Sequence, residues 1–397
     1  METTETAIAL CAAGAEKVLG NELRKLGLSI ADSGFGRVRF KADLPGLYRA
    51  LMALRTADRV LLEMAFFRAE DFDALFEGVK TVSWENFIPA GMGLTVAKVR
   101  SNRSRLTAAT SIQAITHKAA AERLCRAQHI ERLPERGPQA ELRVYLEKDM
   151  ASVLLDLSGE PLFKRGYRSE SGIAPLRETT AAAILLLSSW RRKFPLYDPF
   201  CGSGTILIEA AMYAWDMAPG LGRRFALEDL LIADKEIGRA VRKELLAKVD
   251  FGRTIRIAGS DADGRSVSIA KSNAERAYDI AKGQTPQRGV RQTVRLPYMP
   301  DIRMLPMQKA ASDAAWADTA AGFIVTNPPY GKRLGDPAES EKIYGEMGAL
   351  ARNFPGWKLA VITDHPGFES FFGKKADSCR EITNGAIPSY FFQYEGL

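Results

Sequence analysis

Apolar residues recur at two different rhythms along the chain, and the rhythm changes near Gly159. Before it, residues 7–10 read as a short strand, and residues 15–26 carry Val18, Leu19, Leu23 and Leu26 at helical spacing ahead of Gly27. Gly34 and Gly36 precede the alternation Val38, Phe40, which predicts a turn into a strand. A helix over 44–54 and a strand over 59–66 complete a small α/β unit. A helix from Asp71, a strand over 94–99 and a long helix over 106–124 follow, and then the runs LRVYLE and ASVLLDLSG on either side of Lys148 and Asp149. These mixed elements predict an α+β module without a catalytic constellation, a binding platform.

After Gly159 helices and short buried strands alternate, the pattern of a doubly wound parallel sheet. The predicted strands are 196–197, 254–258, 291–296, 322–326 and 358–363, with helices over 203–213, 264–278 and 339–352. Runs around 380–383 and 389–393 predict a closing antiparallel hairpin. The apolar stretch AAAILLLSSW is about half the roughly 20 residues a bilayer span needs, so a buried helix is expected there.

Composition narrows the picture little: 397 residues, 46% hydrophobic and 26% charged, fit two or three soluble domains. The acidic start METTETAIAL does not read as a secretion signal, so a cytoplasmic protein with no membrane partner is expected. Cys11, Cys125, Cys201 and Cys379 form no Cys-x-x-Cys pair, and His117, His129 and His365 have no ligand spacing, so no metal is expected. The net charge of +7 suits a nucleic-acid partner. Its distribution says more. Lys98, Arg100, Arg103, Arg105, Lys118, Arg123 and Arg126 face a single acid, Glu122, within the same stretch, and Ser101, Asn102, Ser104, Thr107 and Thr110 are interleaved. Such side chains contact phosphate and ribose oxygens; the alternative is a solvated helix face beside a basic loop.

Three motifs carry chemistry. In LYDPFCGSGTILIEAA a strand runs into Asp198, and the loop Cys201, Gly202, Ser203, Gly204, Thr205 opens a helix whose free N–H groups suit a polar or anionic ligand. A P-loop is excluded because Gly-Lys-Ser/Thr is absent, and a dinucleotide fingerprint because Leu207 replaces the third glycine. Asp198 suits the ammonium group of S-adenosylmethionine. In GSDADG, Asp261 ends a strand where an acid accepts ribose hydroxyls. It arrives roughly 60 residues after the loop instead of about 20, so residues 216–250 read as an insertion. Asp216 is the rival acid, and Asp263 is equally a helix N-cap. Asp301, read as following the strand over 291–296, suits the adenine amino group, with surface solvation as the alternative.

The third motif is VTNPPYGKRLG. Pro328 and Pro329 fix φ and remove two N–H donors, so the carbonyls of Asn327 and Pro328 are presented rigidly, beside the Asn327 amide and the Tyr330 ring. Acceptors and a stacking ring suit the exocyclic amine of a nucleobase. Two acceptors on its hydrogens would aim the nitrogen lone pair at a methyl sulfonium and stabilise the charge that develops. Covalent cytosine C5 methylation through Cys201 is disfavoured by its place inside the glycine loop. A non-catalytic RNA-binding factor is the remaining alternative.

Together with LRTADRVLLEMAFFRAEDFDALFEGVKTVSWE, SGEPLFKRGYR, APLRETTAAAIL and the terminal NGAIPSYFFQY, these motifs make the sequence resemble the THUMP-domain class I RNA methyltransferases, above all the bacterial 23S ribosomal RNA guanine-N2 methyltransferases. The resemblance implies a ferredoxin-like domain (1–60), a THUMP domain docking structured RNA (61–158) and a Rossmann-like, seven-stranded methyltransferase domain (159–397). It implies S-adenosylmethionine at the Asp198–Thr205 loop, Asp261 and Asp301, with Thr179 in a helix beginning near Pro175 beside the methionine moiety. Asn327, Pro328 and Tyr330 would hold the target base, and Lys98, Arg100, Arg103, Arg105 and Lys118 would contact RNA. Phe163 stands where many relatives carry histidine. Guanine N2 in 23S ribosomal RNA is the expected target, with adenine N6 or a transfer-RNA guanine as alternatives.

Overall fold

The computed structural model describes residues 4–168, 176–283, 299–310, 321–329, 337–385 and 387–397. Pro175, Tyr330 and the predicted strand over 291–296 lie outside them. The elements run β1 (Glu5–Cys11), α1 (Glu16–Lys25), β2 (Ser29–Gly34), β3 (Arg37–Ala42), α2 (Leu44–Ala53), β4 (Ala57–Arg68), α3 (Phe72–Lys80), β5 (Gly93–Asn102), α4 (Ala109–Gln128), β6 (Gln139–Glu147) and β7 (Met150–Asp156). Then come α5 (Glu178–Leu187), β8 (Leu196–Asp198), α6 (Thr205–Ala214), α7 (Lys235–Leu246), β9 (Ile257–Asp261), α8 (Gly264–Ala281), β10 (Asp301–Met304), β11 (Phe323–Thr326), α9 (Pro337–Glu346), α10 (Ala349–Asn353), β12 (Lys358–Thr363), α11 (Phe368–Phe372), β13 (Ser378–Asn384) and β14 (Ile387–Tyr394).

The first seven strands form one sheet, ordered β2-β3-β1-β4-β7-β6-β5. The expected boundary at residue 60 falls inside β4, which pairs β1 on one side and β7 on the other, so the two N-terminal units share a strand. Alternation explains the layering. Ala7, Ala9, Val38, Phe40, Val60 and Leu62 point to the face covered by α1–α4 and are buried there. The helices begin where short acids satisfy their first N–H groups: Asp43 accepts from Gly46, and Asp71 from Ala74.

The second sheet, β10-β9-β8-β11-β12-β14-β13, is parallel through its first five strands, and β14 runs antiparallel between β12 and β13. Seven strands in this doubly wound arrangement match the expected fold class. Apolar on all sides, α5 is buried from Glu178 to Leu185 and packs on α6. The 216–250 segment contributes α7, started by Asp234. The expected single helix over 339–352 is two, α9 and α10, parted at Met347 and Gly348.

The two halves are joined by buried polar contacts. Arg165, 2% exposed, donates to the carbonyls of Leu162 and Arg55 and pairs with Glu209, which also accepts from the Tyr167 hydroxyl at 3.2 Å. Arg55 donates to the Met217 carbonyl at 2.5 Å.

Candidate active site

Parallel strands deliver their carboxyl ends to one edge, and three of the predicted residues meet there. Asp198 ends β8, Asp261 ends β9, and Asn327 follows β11. Asp198 is 1% exposed; the Thr326 hydroxyl donates to its Oδ1 at 2.6 Å and the Phe200 amide at 3.1 Å. Burial, aided by the nearby charge of Asp261, pushes its carboxyl up to about 7, against the two hydrogen bonds that pull it down. A buried acid with two neutral donors and no cation among the described residues is a strong site for an ammonium group.

Next to it the glycine loop is braced from three sides. The Cys201 amide donates to the Ser260 carbonyl at 2.9 Å, Asn273 Nδ2 donates to the Ser203 carbonyl at 3.0 Å, and Arg168 donates to Thr205 Oγ1 at 2.8 Å. Gly202 has φ of 50° and no heavy atom within 4 Å of where a Cβ would stand, so the backbone is open to a ligand at that point. Its amide donates to Asp261 Oδ2 at 2.9 Å, and the Asp263 amide to Oδ1 at 3.0 Å. Each carboxylate oxygen keeps a free lone pair for a hydroxyl. Asp263 is the N-cap of α8, accepting from Arg265 and Ser266. Asp216, beyond the far end of α6, pairs with Arg192 and Arg253. Cys201 is buried and its thiol is held well above the ordinary range by burial, so it offers no thiolate.

Asp301 opens β10, opposite Ala258 and three residues short of the edge, and is paired with Arg303 at 2.6 Å; the run over 291–296 that it was expected to follow lies outside the described residues. The residue that reaches the edge, opposite Asp261, is Met304, 68% exposed. Its sulfur lies 2.9 Å from where a Cβ on Gly264 would stand, so an apolar surface borders the Asp261 carboxylate. Sequence reasoning missed it because β10 is only four residues long.

At the other side of the edge Asn327 is 8% exposed, and its Oδ1 is buried without a hydrogen-bond partner among the described residues. Leaving a buried acceptor unmade costs about 1–3 kcal/mol, so this atom is one a ligand donor would satisfy. Pro328 is buried and Pro329 half-buried beside it.

Thr179 lies in the first turn of α5. Its hydroxyl donates to Asp58 Oδ1 at 2.5 Å, and Arg177 lies 3.5 Å from the same carboxylate, so the first turn of α5 is tied to the N-terminal sheet. Phe163 lies under the Arg177 guanidinium, 4.7 Å away. Glu178, between them, pairs with Arg168 at 3.1 Å, and burial pushes its carboxyl up to about 7. The link from Asp58 through α5 to Arg168 and Thr205 was not legible in the sequence.

The basic cluster is not one patch. Lys98 and Arg100 lie on the edge strand β5, exposed on the face away from α4, whereas Lys118 lies on α4 itself, 3.9 Å from Glu122. Arg105 is paired with Glu70 at 2.6 Å and Arg123 with Glu85 at 2.5 Å, acids contributed from outside the stretch. Arg103, in a left-handed turn with φ of 49°, is exposed. A cavity of about 570 Å³ lined by Tyr48, Arg223, Arg242 and Ile280 lies near the far end of α8, whose 18 residues span about 27 Å from the edge. It takes no part in this site. Among the described residues no helix is long and apolar enough to cross a membrane, and no group of three or more His, Cys, Asp or Glu side chains is placed to hold a metal.

Known proteins share this arrangement. The sequence profile of the RMKL-like methyltransferase domain matches residues 165–291 and 303–391, and that of the RlmL ferredoxin-like domain matches 6–61. YpsC of Bacillus subtilis, named as an RNA methyltransferase, is 36% identical over 98% of this chain and 95% of its own length. The ribosomal RNA large subunit methyltransferase K/L of Marinobacter nauticus is 31% identical over 97% of this chain and 52% of its own, so the chain spans about half of such relatives. The solved structure of SMU.472, described as a methyltransferase complexed with SAH, is 37% identical with a TM-score of 0.85, covering 100% of this chain and 99% of that one. The chain belongs to the RMKL-like methyltransferase family, with S-adenosylmethionine as its cofactor.

Proposed function

We propose that this member of the family transfers a methyl group to the exocyclic N2 amine of a guanine in structured RNA, 23S ribosomal RNA in particular. The observation that carries the reading is the buried, unpartnered Oδ1 of Asn327 at the sheet edge shared with Asp198 and Asp261. S-adenosylmethionine supplies a methyl group activated on a sulfonium. In this reading Asp198 takes the cofactor's ammonium, the Gly202–Thr205 backbone its amino-acid end, Asp261 its ribose and Met304 one flank of its adenine.

Asn327 Oδ1 and the Pro328 carbonyl accept the two hydrogens of the target NH₂. That holds the nitrogen lone pair toward the methyl group and favours the positive charge that develops as the N–C bond forms and the S–C bond breaks. The proton leaves to solvent after transfer, so no general base is required. Tyr330 is assigned the stacking wall on its sequence position alone. RNA as the substrate class is supported by the likeness to YpsC and to the K/L enzymes, whereas guanine as the base rests on the sequence resemblance alone; Lys98, Arg100 and Arg103 are the phosphate contacts of a THUMP unit over 61–158.

The test is to incubate the protein with labelled S-adenosylmethionine and, separately, undermethylated ribosomal RNA, transfer RNA and DNA, then to digest and identify the nucleoside. N2-methylguanine in ribosomal RNA is expected. N6-methyladenine as the only product would overturn the assignment of guanine, and calorimetry without cofactor binding would overturn the enzyme itself.

A further inference from the structure

Of the described residues, Phe35 is the large apolar side chain most exposed to solvent, at 87%. It stands on the two-residue turn between β2 and β3, where Gly34 is opposite Arg37. A ring displayed this way contributes nothing to the core. Yet the turn is held rigidly: Gly36, with φ of 68°, donates its amide to Glu16 Oε1 at 2.7 Å, and its carbonyl accepts from the Cys11 amide at 2.9 Å. The other Glu16 oxygen accepts from the Gly14 amide at 3.0 Å.

That second bond fixes the turn relative to the catalytic half. Ala13 exchanges hydrogen bonds with Thr383 of β13, its amide to Oγ1 at 3.0 Å and its carbonyl from the Thr383 amide at 3.2 Å. The neighbouring Asn384 Oδ1 accepts from the Arg177 amide at the start of α5. Strand β14 begins beyond the carboxyl end of β12, since Thr363 pairs with Tyr390, so the turn joining β13 to β14 rises on the catalytic edge. Ile387 at that turn is 39% exposed. Phe35 is thus anchored beside β13, the outer strand of the catalytic sheet, with β14 and β12 between that strand and the β11 that leads into Asn327. Arg37 lies over the turn, 3.2 Å from where a Cβ on Gly34 would stand, with no acidic partner among the described residues.

We propose that Phe35 is a stacking platform for an unpaired base of the RNA flanking the target nucleotide, with Arg37 taking the adjoining phosphate. An aromatic face beside a free guanidinium, on a turn that loses little freedom when it is covered, is the combination that binds single-stranded nucleic acid without reading its sequence. This rests on RNA being the substrate.

The experiment compares wild-type protein with F35A, F35W and R37A in affinity for undermethylated 23S ribosomal RNA, with S-adenosylmethionine affinity and melting temperature as controls. Losing one base stack is expected to weaken RNA binding roughly 5- to 150-fold in F35A, with both controls unchanged. F35W is expected to restore affinity and to show fluorescence quenching on RNA addition. R37A is expected to lower the salt dependence of binding. Equal affinity of F35A and wild type overturns the proposal, as does a loss that tryptophan does not restore. Failure of the wild type itself to bind or methylate any RNA removes the substrate reading, a different outcome from a variant-specific loss.

Discussion

Asp156 and Asp198 end a strand in each of the two sheets and are equally buried, at 1% exposure, but their surroundings are opposite. Asp156 meets two guanidiniums, Arg59 at 2.5 Å and Arg143 at 3.3 Å, and the Ser158 amide at 2.8 Å. Asp198 has only a hydroxyl and an amide. At Asp156 the N-terminal sheet closes its charges on one another, so these groups hold the sheet together and leave little there to bind. The catalytic sheet keeps an acid and an amide oxygen incompletely matched, which costs stability and leaves each ready for a ligand.

The largest expected effect breaks the first half of this contrast. Asp156→Asn leaves Arg59 and Arg143 without their shared carboxylate and is expected to destabilise the fold by about 3–5 kcal/mol in urea unfolding, with the cofactor affinity of the folded fraction unchanged. Asn327→Ala is expected to do the reverse. Single-turnover transfer should fall about 10²- to 10³-fold while calorimetric cofactor binding stays as it is and thermal stability does not fall, because the unmatched buried acceptor is removed.

Asp198→Asn probes the unmatched acid directly. Losing a charged hydrogen-bond partner should weaken S-adenosylmethionine binding by about 1.5–3 kcal/mol. In the cofactor-free wild type, Asp198 and Glu178 keep their protons to about 7, well above the ordinary carboxylate range. At these two groups the folded state binds more protons than the unfolded between about pH 4 and pH 7, so the stability they contribute is expected to fall as pH rises through that window. Asp198→Asn should flatten part of the slope of melting temperature against pH. Cofactor affinity should run the other way, weakening as pH drops below about 7, because the ammonium prefers the ionised acid.

The smallest effect sharpens the site's outline. Asp301→Ala, already paired with Arg303 away from the edge, is expected to change stability by no more than about 0.5 kcal/mol and to leave cofactor affinity intact. Met304→Ala is expected to lower that affinity measurably by the same calorimetry.

How far the site was legible follows from what a linear pattern can encode. Asp198, Asp261 and Asn327 could be read because each ends an apolar run, and in a parallel sheet such ends share an edge. Met304 could not, because β10 is only four residues long and gives alternation too little length to stand out. The basic stretch looked more unbalanced than it is because Glu70 and Glu85 reach it from elsewhere in the fold. The free lone pair of Asn327 and the anchoring of Phe35 depend on neighbours distant in sequence, and no periodicity reports those.

The long strand β4 carries a consequence for how the chain can come apart. Its 12 residues are hydrogen-bonded to β1 along one stretch and to β7 along another, so the ferredoxin-like unit has no seam of its own. Severing the backbone at residue 60 would split a continuous ladder and expose two new sheet edges, each a template for self-association. The N-terminal half is expected to melt as one cooperative block, because cutting at residue 60 would leave part of β4 with each piece.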